Sequence, residues 1–293
     1  MDPQPCNAPP QIAEAFSKTV CVKKANAHTG YLIVLGFLAG AFIAFGGLIA
    51  ILASFESAKF VGTGLSKIIG GAVFSVGLMM VVIGGAELFT GNNLIVLSTL
   101  SGEVKWGKLI RNWIIVFLAN FAGALFVAWL YYQTGLWKTV GLEATDTLHV
   151  LGLNALKTAV MKVNLTFMEG FTRGVFCNWI VCMAVWMAAG AKDIIGKVFA
   201  IFFPIMTFVA LGFEHSIANM FFIPLGIFLA NAPQFVGKLV PDIFSAEKMA
   251  NLNINGLLMK NLLPVTLGNI IGGAFFVGFL YWFVYLKGAK KTA

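Results

Sequence analysis

Long apolar runs separated by short polar clusters set the architecture. Tyr31–Phe55, Trp113–Tyr132 and Leu257–Leu286 are apolar over about twenty residues or more, the length that carries an α-helix across a bilayer. Thr158–Ala189 is a fourth run, longer than a bilayer needs, so its first turns, with Lys162 and Glu169, are expected in a vestibule. Two further runs are interrupted. Ile68–Glu87 gives way to Phe89-Thr90-Gly91-Asn92-Asn93 and then a short apolar piece, Leu94–Leu100. Gly196–Leu211 gives way to a stretch beginning Gly212-Phe213-Glu214-His215, and then to Met220–Leu229. Non-helical backbone at membrane depth is tolerated only where protein or a wet cavity satisfies its polar groups. The pattern predicts an all-α polytopic membrane protein with six spans, two of them broken, and both termini on one side.

The connections refine this picture. Met1–Pro10 is Pro-rich and expected to lack regular structure, and residues 1–30 do not read as a signal peptide. Gln11–Ala27, with Ile12, Phe16 and Val20 spaced among lysines, predicts an amphipathic helix at the membrane surface, placed to act as a pH-sensitive plug. Glu56–Lys67 reads as a loop, and Gln133–Ala155 and Asn231–Asn255, the latter with Pro233 and Pro241, read as longer outside loops. The side holding the termini carries eleven Lys/Arg in short segments, which puts the termini in the cytoplasm of a multi-pass protein of the plasma (inner) membrane. The expected organisation is a cytoplasmic segment 1–28, a channel domain 29–287 and a cytoplasmic tail 288–293.

Composition agrees. Of 293 residues, 59% are hydrophobic and only 11% charged, where a soluble domain carries about a quarter charged residues. The net charge of +8 is scattered over loops and ends, which reads as a lipid-facing basic surface rather than a nucleic-acid site. Four cysteines offer no disulfide framework, since Cys177 and Cys182 share one helix and Cys6 and Cys21 lie in the leader. His28 and His149 fall outside the predicted spans, so neither paired haem ligation nor a three-ligand metal site can be assembled around His215. No cofactor or metal is expected, and a membrane redox enzyme is disfavoured.

The two interrupted stretches repeat each other. Gly85-x-Glu87 with Asn92 matches Gly212-x-Glu214 with Asn219, and Asn112, Asn120 and Gly123 match Asn261, Asn269 and Gly272 at identical spacing. Three spans per half is an odd number, so the second copy is inverted, and broken helices at matching places point to a permeation site between the repeats. Ionisable groups at this depth are costly and default to a functional hypothesis. Glu87, Asn92, Glu214 and Asn219 recur and read as broken-helix scaffold, with Glu87 and Glu214 expected to accept backbone amides freed by the breaks. His215 has no counterpart, because its partner position holds Leu88. It is the residue on which the chemistry is expected to rest, titrating at about pH 6.5 when unperturbed.

At this point the chain resembles a known family. Val82-Ile83-Gly84-Gly85-Ala86-Glu87-Leu88-Phe89-Thr90-Gly91 and Gly174–Ala184 are similar to the two signatures of the formate/nitrite transporter family. Phe213–Met220 and Asn261–Gly273 are similar to its formate-channel branch. The resemblance implies an aquaporin-like protomer with its own pore, assembled as a homopentamer. It implies polar pore positions at His215, Lys162 and Asn178, with Thr90 approaching His215 from the other broken helix. It further implies an apolar constriction of Phe74, Leu78, Leu88, Phe89 and Phe208. One departure stands out: relatives often carry His-His where this chain has Asn164-Leu165, which leaves nitrite, hydrosulfide, acetate and lactate open beside formate.

Several residues carry two readings. Lys162 reads as a vestibule cation or as a snorkelling interface lysine, and Thr90 as a pore hydroxyl or a helix cap. Asn269 reads as interhelical glue or as a side chain reaching His215. Whether His215 lends a proton or only a hydrogen bond is open at this point. The function expected is a pH-dependent channel for small monovalent anions of weak acids, formate first. An aquaporin-like channel for neutral solutes is the alternative.

Overall fold

The computed structural model describes residues 6–139, 150–233, 235 and 244–288. His149, Pro241 and nearly all of the 288–293 tail lie outside the described residues. The leader helix α1 runs through Pro9–Ala15, the wider turns of Phe16–Val20 and Cys21–Asn26. Then come α2 (Thr29–Ser54), α3 (Ser57–Gly84), α4 (Phe89–Asn92 continuing through Asn93–Ile95 to Val96–Leu100) and α5 (Trp106–Thr134). The second half holds α6 (Val150–Val163), α7 (Phe167–Gly190), α8 (Ile194–Ala210), α9 (Ser216–Ala230), the short α10 (Ala246–Ala250) and α11 (Gly256–Tyr285). By length and composition α2, α3, α5, α7 and α11 can each cross a membrane, while α8 and α9 are apolar but shorter, at 17 and 15 residues.

Four expectations need correction. The run Thr158–Ala189 is two helices, α6 and α7, broken at Asn164–Thr166, and α6 begins inside the segment read as a loop. The cause is a capping box. The Thr166 hydroxyl accepts the Glu169 N–H and the Glu169 carboxylate accepts the Thr166 N–H, satisfying donors that a new helix start leaves over. The carboxylate keeps its i,i+4 neighbour Arg173 at 3.9 Å as well. Glu56–Lys67 is helical from Ser57 onward, with its bend taken up at Gly62. Cys6–Pro10 is ordered against the end of α7, where the Asn7 N–H donates to the Gly190 carbonyl at 2.9 Å, and Pro9 opens α1 at a position that needs no donor.

The inverted repeat is complete in the fold, and larger than the sequence showed. α2 and α5 correspond to α7 and α11, and the glycines of the matched motif close both contacts: a Cβ on Gly123 would collide with the Phe37 carbonyl, and one on Gly272 with the Val175 carbonyl. α3–α4 correspond to α8–α9. The end of α1 has its own counterpart in α6, since the Asn112 amide donates to the Lys24 carbonyl and the Asn261 amide to the Lys162 carbonyl, both at 2.9 Å. The leader is therefore built into the first repeat. Phe16 stacks on Trp186 with ring centres 5.6 Å apart, the Ser98 hydroxyl donates to the Phe16 carbonyl, and Arg111 donates to the Ala27 carbonyl.

Candidate pore site

Both broken helices are built the same way. Gly85 caps α3, and Gly212 follows two residues after the end of α8; both are left-handed (φ 85° and 76°), a turn that favours glycine and frees the next residues from the helix. The Glu87 N–H then donates to the Leu35 carbonyl and the Glu214 N–H to the Arg173 carbonyl. The Asn92 amide donates to Glu87 at 2.8 Å and to Asn112 at 2.9 Å, and the Asn219 amide to Glu214 at 2.6 Å and to Asn261 at 2.7 Å. Asn120 accepts the Phe89 N–H and donates to the Glu87 carbonyl, and Asn269 does the same for Ser216 and Glu214. The remaining carboxylate oxygens take the Lys24 and Lys162 ammonium groups, each at 2.9 Å. Lys162 is thus an ion-paired residue with its charge over the Phe222 ring, not a snorkelling one. Asn269 spends its amide on backbone and makes no bond to the His215 ring.

His215 stands at the start of α9 and is 3% exposed. Its Nδ1 accepts the Ala218 N–H at 3.1 Å, and its Nε2 lies 2.9 Å from the Thr90 hydroxyl. A backbone N–H can only donate, so Nδ1 carries a lone pair and the ring proton sits on Nε2, pointing at the Thr90 oxygen. The neutral ring fits this frame. A second proton, on Nδ1, would oppose the Ala218 N–H. Thr90, accepting from the ring, keeps its own hydroxyl proton to offer elsewhere.

Beside His215 is a cavity of about 10 Å³, close to the space one water needs, lined by Ile43, Phe74, Leu78, Leu88, Val181, Ile205, Phe208 and His215. The imidazole is the one polar side chain in that wall. Phe74, Leu78, Leu88 and Phe208 were expected there. Phe89 does not line the cavity: its ring packs edge-on against Phe117 and Trp113, with centres 5.0 and 6.1 Å away. Ile43, Val181 and Ile205 went unforeseen. The repeat could have found them, because Ile43 corresponds to Val181, Leu78 to Ile205 and Leu88 to His215. Asn178, also expected at the pore, does not line the cavity either; it is buried among protein acceptors.

Leu78 and Leu88 also line a second cavity, of about 540 Å³, between the broken end of α3 and the leader. Phe16 and Thr19 of α1 wall it, and Lys23, Lys24, Lys197 and Glu87 give it charge. Two leucines therefore separate a basic vestibule from the His215 chamber. Among the described residues no group of three His, Cys, Asp or Glu could hold a metal ion, and Cys21, Cys177 and Cys182 are buried free thiols.

The formate/nitrite transporter family model matches residues 10–283. The chain belongs to this family. A probable formate transporter of Methanothermobacter thermautotrophicus is 44% identical over 288 residues, covering 96% of this chain and 97% of the relative. The formate channel FocA of Escherichia coli K12 is 39% identical over 274 residues, covering 91% and 90%. Among solved structures, a pentameric formate channel with formate bound superposes with a TM-score of 0.76 at 36% identity, covering 90% of this chain and 99% of that one. Within the family frame, the Asn164 departure acquires a local role. Its amide donates to the Lys248 carbonyl at 3.0 Å and its oxygen accepts the Asn251 amide at 2.7 Å, pinning the loop around α10 onto the end of α6.

Proposed function

We propose that the chain is a pH-dependent channel for small monovalent anions of weak acids, formate first, with a pore in each protomer of a homopentamer. The observation that carries this reading is the chamber itself, one neutral imidazole in an apolar wall of about 10 Å³, beside a lysine-bearing vestibule. Relatives of 39–44% identity that are named formate channels or transporters support the substrate.

The physics sets the route. Moving a bare monovalent anion into a low-dielectric medium costs of order 20 kcal/mol, so the apolar constriction stops the anion and passes the acid far more readily. Lys23 and Lys197, beside the ion-paired Lys24, draw the anion into the leader-walled vestibule, and on the other side Lys162 has N–H groups beyond the one on Glu214 to offer it. Desolvation then raises the carboxylate pKa, and the anion takes a proton from hydronium in the aqueous vestibule, leaving neutral water. Thr90 is not in the chamber wall; as the chamber widens to admit the acid, its hydroxyl, oriented by His215 at 2.9 Å, donates a hydrogen bond to the acid. The ring acts in its neutral form and does not itself lend the proton. The orientation with both termini in the cytoplasm of the inner membrane makes the leader-walled vestibule the inner one. The leader helix there acts as a pH-sensitive plug.

Uptake of radiolabelled formate, nitrite, hydrosulfide and lactate into proteoliposomes at several pH values tests this. Formate is expected to enter fastest, with flux rising as external pH falls. Flux of a neutral solute such as glycerol at a comparable rate, indifferent to pH, would overturn the reading in favour of an aquaporin-like channel.

A further inference from the structure

The Asn178 amide is a buried polar group of the region that the transport route leaves unused. It is fully buried in α7, and its nitrogen lies within hydrogen-bond distance of three acceptors: the Asn269 carbonyl at 2.7 Å, the Asn93 side-chain oxygen at 2.9 Å and the Thr90 carbonyl at 3.2 Å. Two N–H groups serve three acceptors, so the amide has no donor left for a permeating anion. The acceptors belong to different repeats. Thr90 and Asn93 are in α4, the broken helix of the first half. Asn269 is in α11, and its side chain holds the Ser216 N–H, one residue beyond His215. Asn93 adds a bond of its own from its amide to the Phe89 carbonyl at 3.2 Å, and the Cys182 thiol donates to the Thr90 carbonyl at 3.4 Å.

This cross-link has no symmetric copy. The position corresponding to Asn178 in α2 is Gly40, where even a Cβ would collide with the Asn120 carbonyl. On the other side, Gly273 leaves the room that the Asn178 amide occupies. The bond between Thr90 and His215 crosses the boundary between the two halves, where neither repeat by itself fixes the distance. We propose that Asn178 and Asn93 are positioning residues that clasp α4 to the second half and so hold the Thr90 hydroxyl on His215 Nε2. This assignment rests on the transport reading only for its consequence in flux. The contact itself is a structural claim that can be read directly.

The test uses the full-length protein labelled with ¹⁵N-histidine, reconstituted in lipid, and solid-state NMR of the imidazole nitrogens, with the His215 signals identified by their loss in His215→Leu. Thr90→Val gives the Nε2 shift of a ring without its hydroxyl partner. Asn93→Leu and Asn178→Ser are expected to move the Nε2 resonance toward that value. Asn154→Ala, which removes an amide bonded to the Ile51 carbonyl elsewhere in the fold, should leave it in place. In formate uptake, the Asn93→Leu background should lose the response to Thr90→Val that the wild type shows. An Nε2 resonance at the wild-type position in both clasp variants overturns the proposal. Should Asn178→Ser not assemble, Asn93→Leu decides alone, because there Asn178 still has two acceptors for its two N–H groups. A shifted resonance with formate uptake unchanged even by Thr90→Val supports the clasp and overturns the role given to Thr90 in transport.

Discussion

The stretches Glu87–Asn92 and Glu214–Asn219 are the same device built twice. Each puts a glutamate two residues after a left-handed glycine and ties its carboxylate to a lysine and to an asparagine that in turn bonds a second asparagine, at nearly identical distances. They differ in the four residues between the glutamate and the asparagine: Leu88-Phe89-Thr90-Gly91 in the first half and His215-Ser216-Ile217-Ala218 in the second. The shared part carries the cost of breaking a helix at membrane depth, where each freed backbone group needs a partner. The differing part faces the chamber on one side and α5 or α11 on the other. Scaffold and chemistry are thus separable in this chain, residue by residue, and variants can test the separation.

The largest effect is expected in the shared part. Removing one partner of a buried ion pair leaves an uncompensated charge and costs about 3–5 kcal/mol. Glu214→Ala strands Lys162, whose side chain is 14% exposed, whereas Glu87→Ala strands Lys24, at 26% exposed and beside the vestibule. Both variants should therefore melt well below the wild type in detergent or lipid, Glu214→Ala lower than Glu87→Ala. A normal melting temperature for either would mean that its carboxylate does not hold the break together.

The chemistry should respond the other way, with a small effect on stability and a clear one on flux. His215→Leu makes the two halves alike at this one position. It removes the acceptor for the Ala218 N–H, a cap worth about 1 kcal/mol, while placing an apolar side chain in an apolar wall. Without the imidazole the Thr90 hydroxyl is no longer aimed, and loss of one hydrogen bond to the permeating acid, about 1.4 kcal/mol, lowers formate flux about tenfold. The flux that remains should still rise as pH falls, because the proton comes from hydronium in the vestibule. Flux independent of pH in this variant would instead assign the proton to His215.

How much of this was legible in the sequence follows the same division. The broken helices were readable because their bonds join side chains to side chains, so Glu, Asn and Gly recur at fixed spacing. The equivalence of α1 with α6 was not, because Asn112 and Asn261 bond to the carbonyls of Lys24 and Lys162, and a carbonyl leaves no mark on residue identity. The α6–α7 break was hidden by apolar residues on both sides. Its signal, Thr166 followed by Glu169, is two letters in a long run. Ile43, Val181 and Ile205 are ordinary aliphatics in apolar helices, distinguishable only once the repeat maps them onto each other or onto Leu78. Phe89 was misassigned to the chamber because a sequence does not say which side of a helix start a ring takes.

That last misassignment leads to the smallest predicted effect. In the first half Phe89 packs on Phe117, filling the space between α4 and α5. The corresponding residues in the second half are Ser216 and Thr266, and both hydroxyl oxygens are buried without a hydrogen-bond partner. The two positions lie close, because the Ser216 N–H is bonded to Asn269, one helical turn from Thr266. A buried hydroxyl with no partner carries its full desolvation penalty, and an apolar replacement of the same shape is neutral or stabilising. Thr266→Val is therefore expected to raise the melting temperature slightly, by up to about 1 kcal/mol of stability, with formate flux unchanged. Ser216→Ala should behave alike, since its backbone N–H keeps the bond to Asn269. If Thr266→Val instead destabilises the protein, the hydroxyl has a partner in solution, a buried water bridging Thr266 and Ser216 being the simplest. The second half would then hold a polar site where the first half holds two aromatic rings, and the asymmetry between the repeats would extend beyond Leu88 and His215.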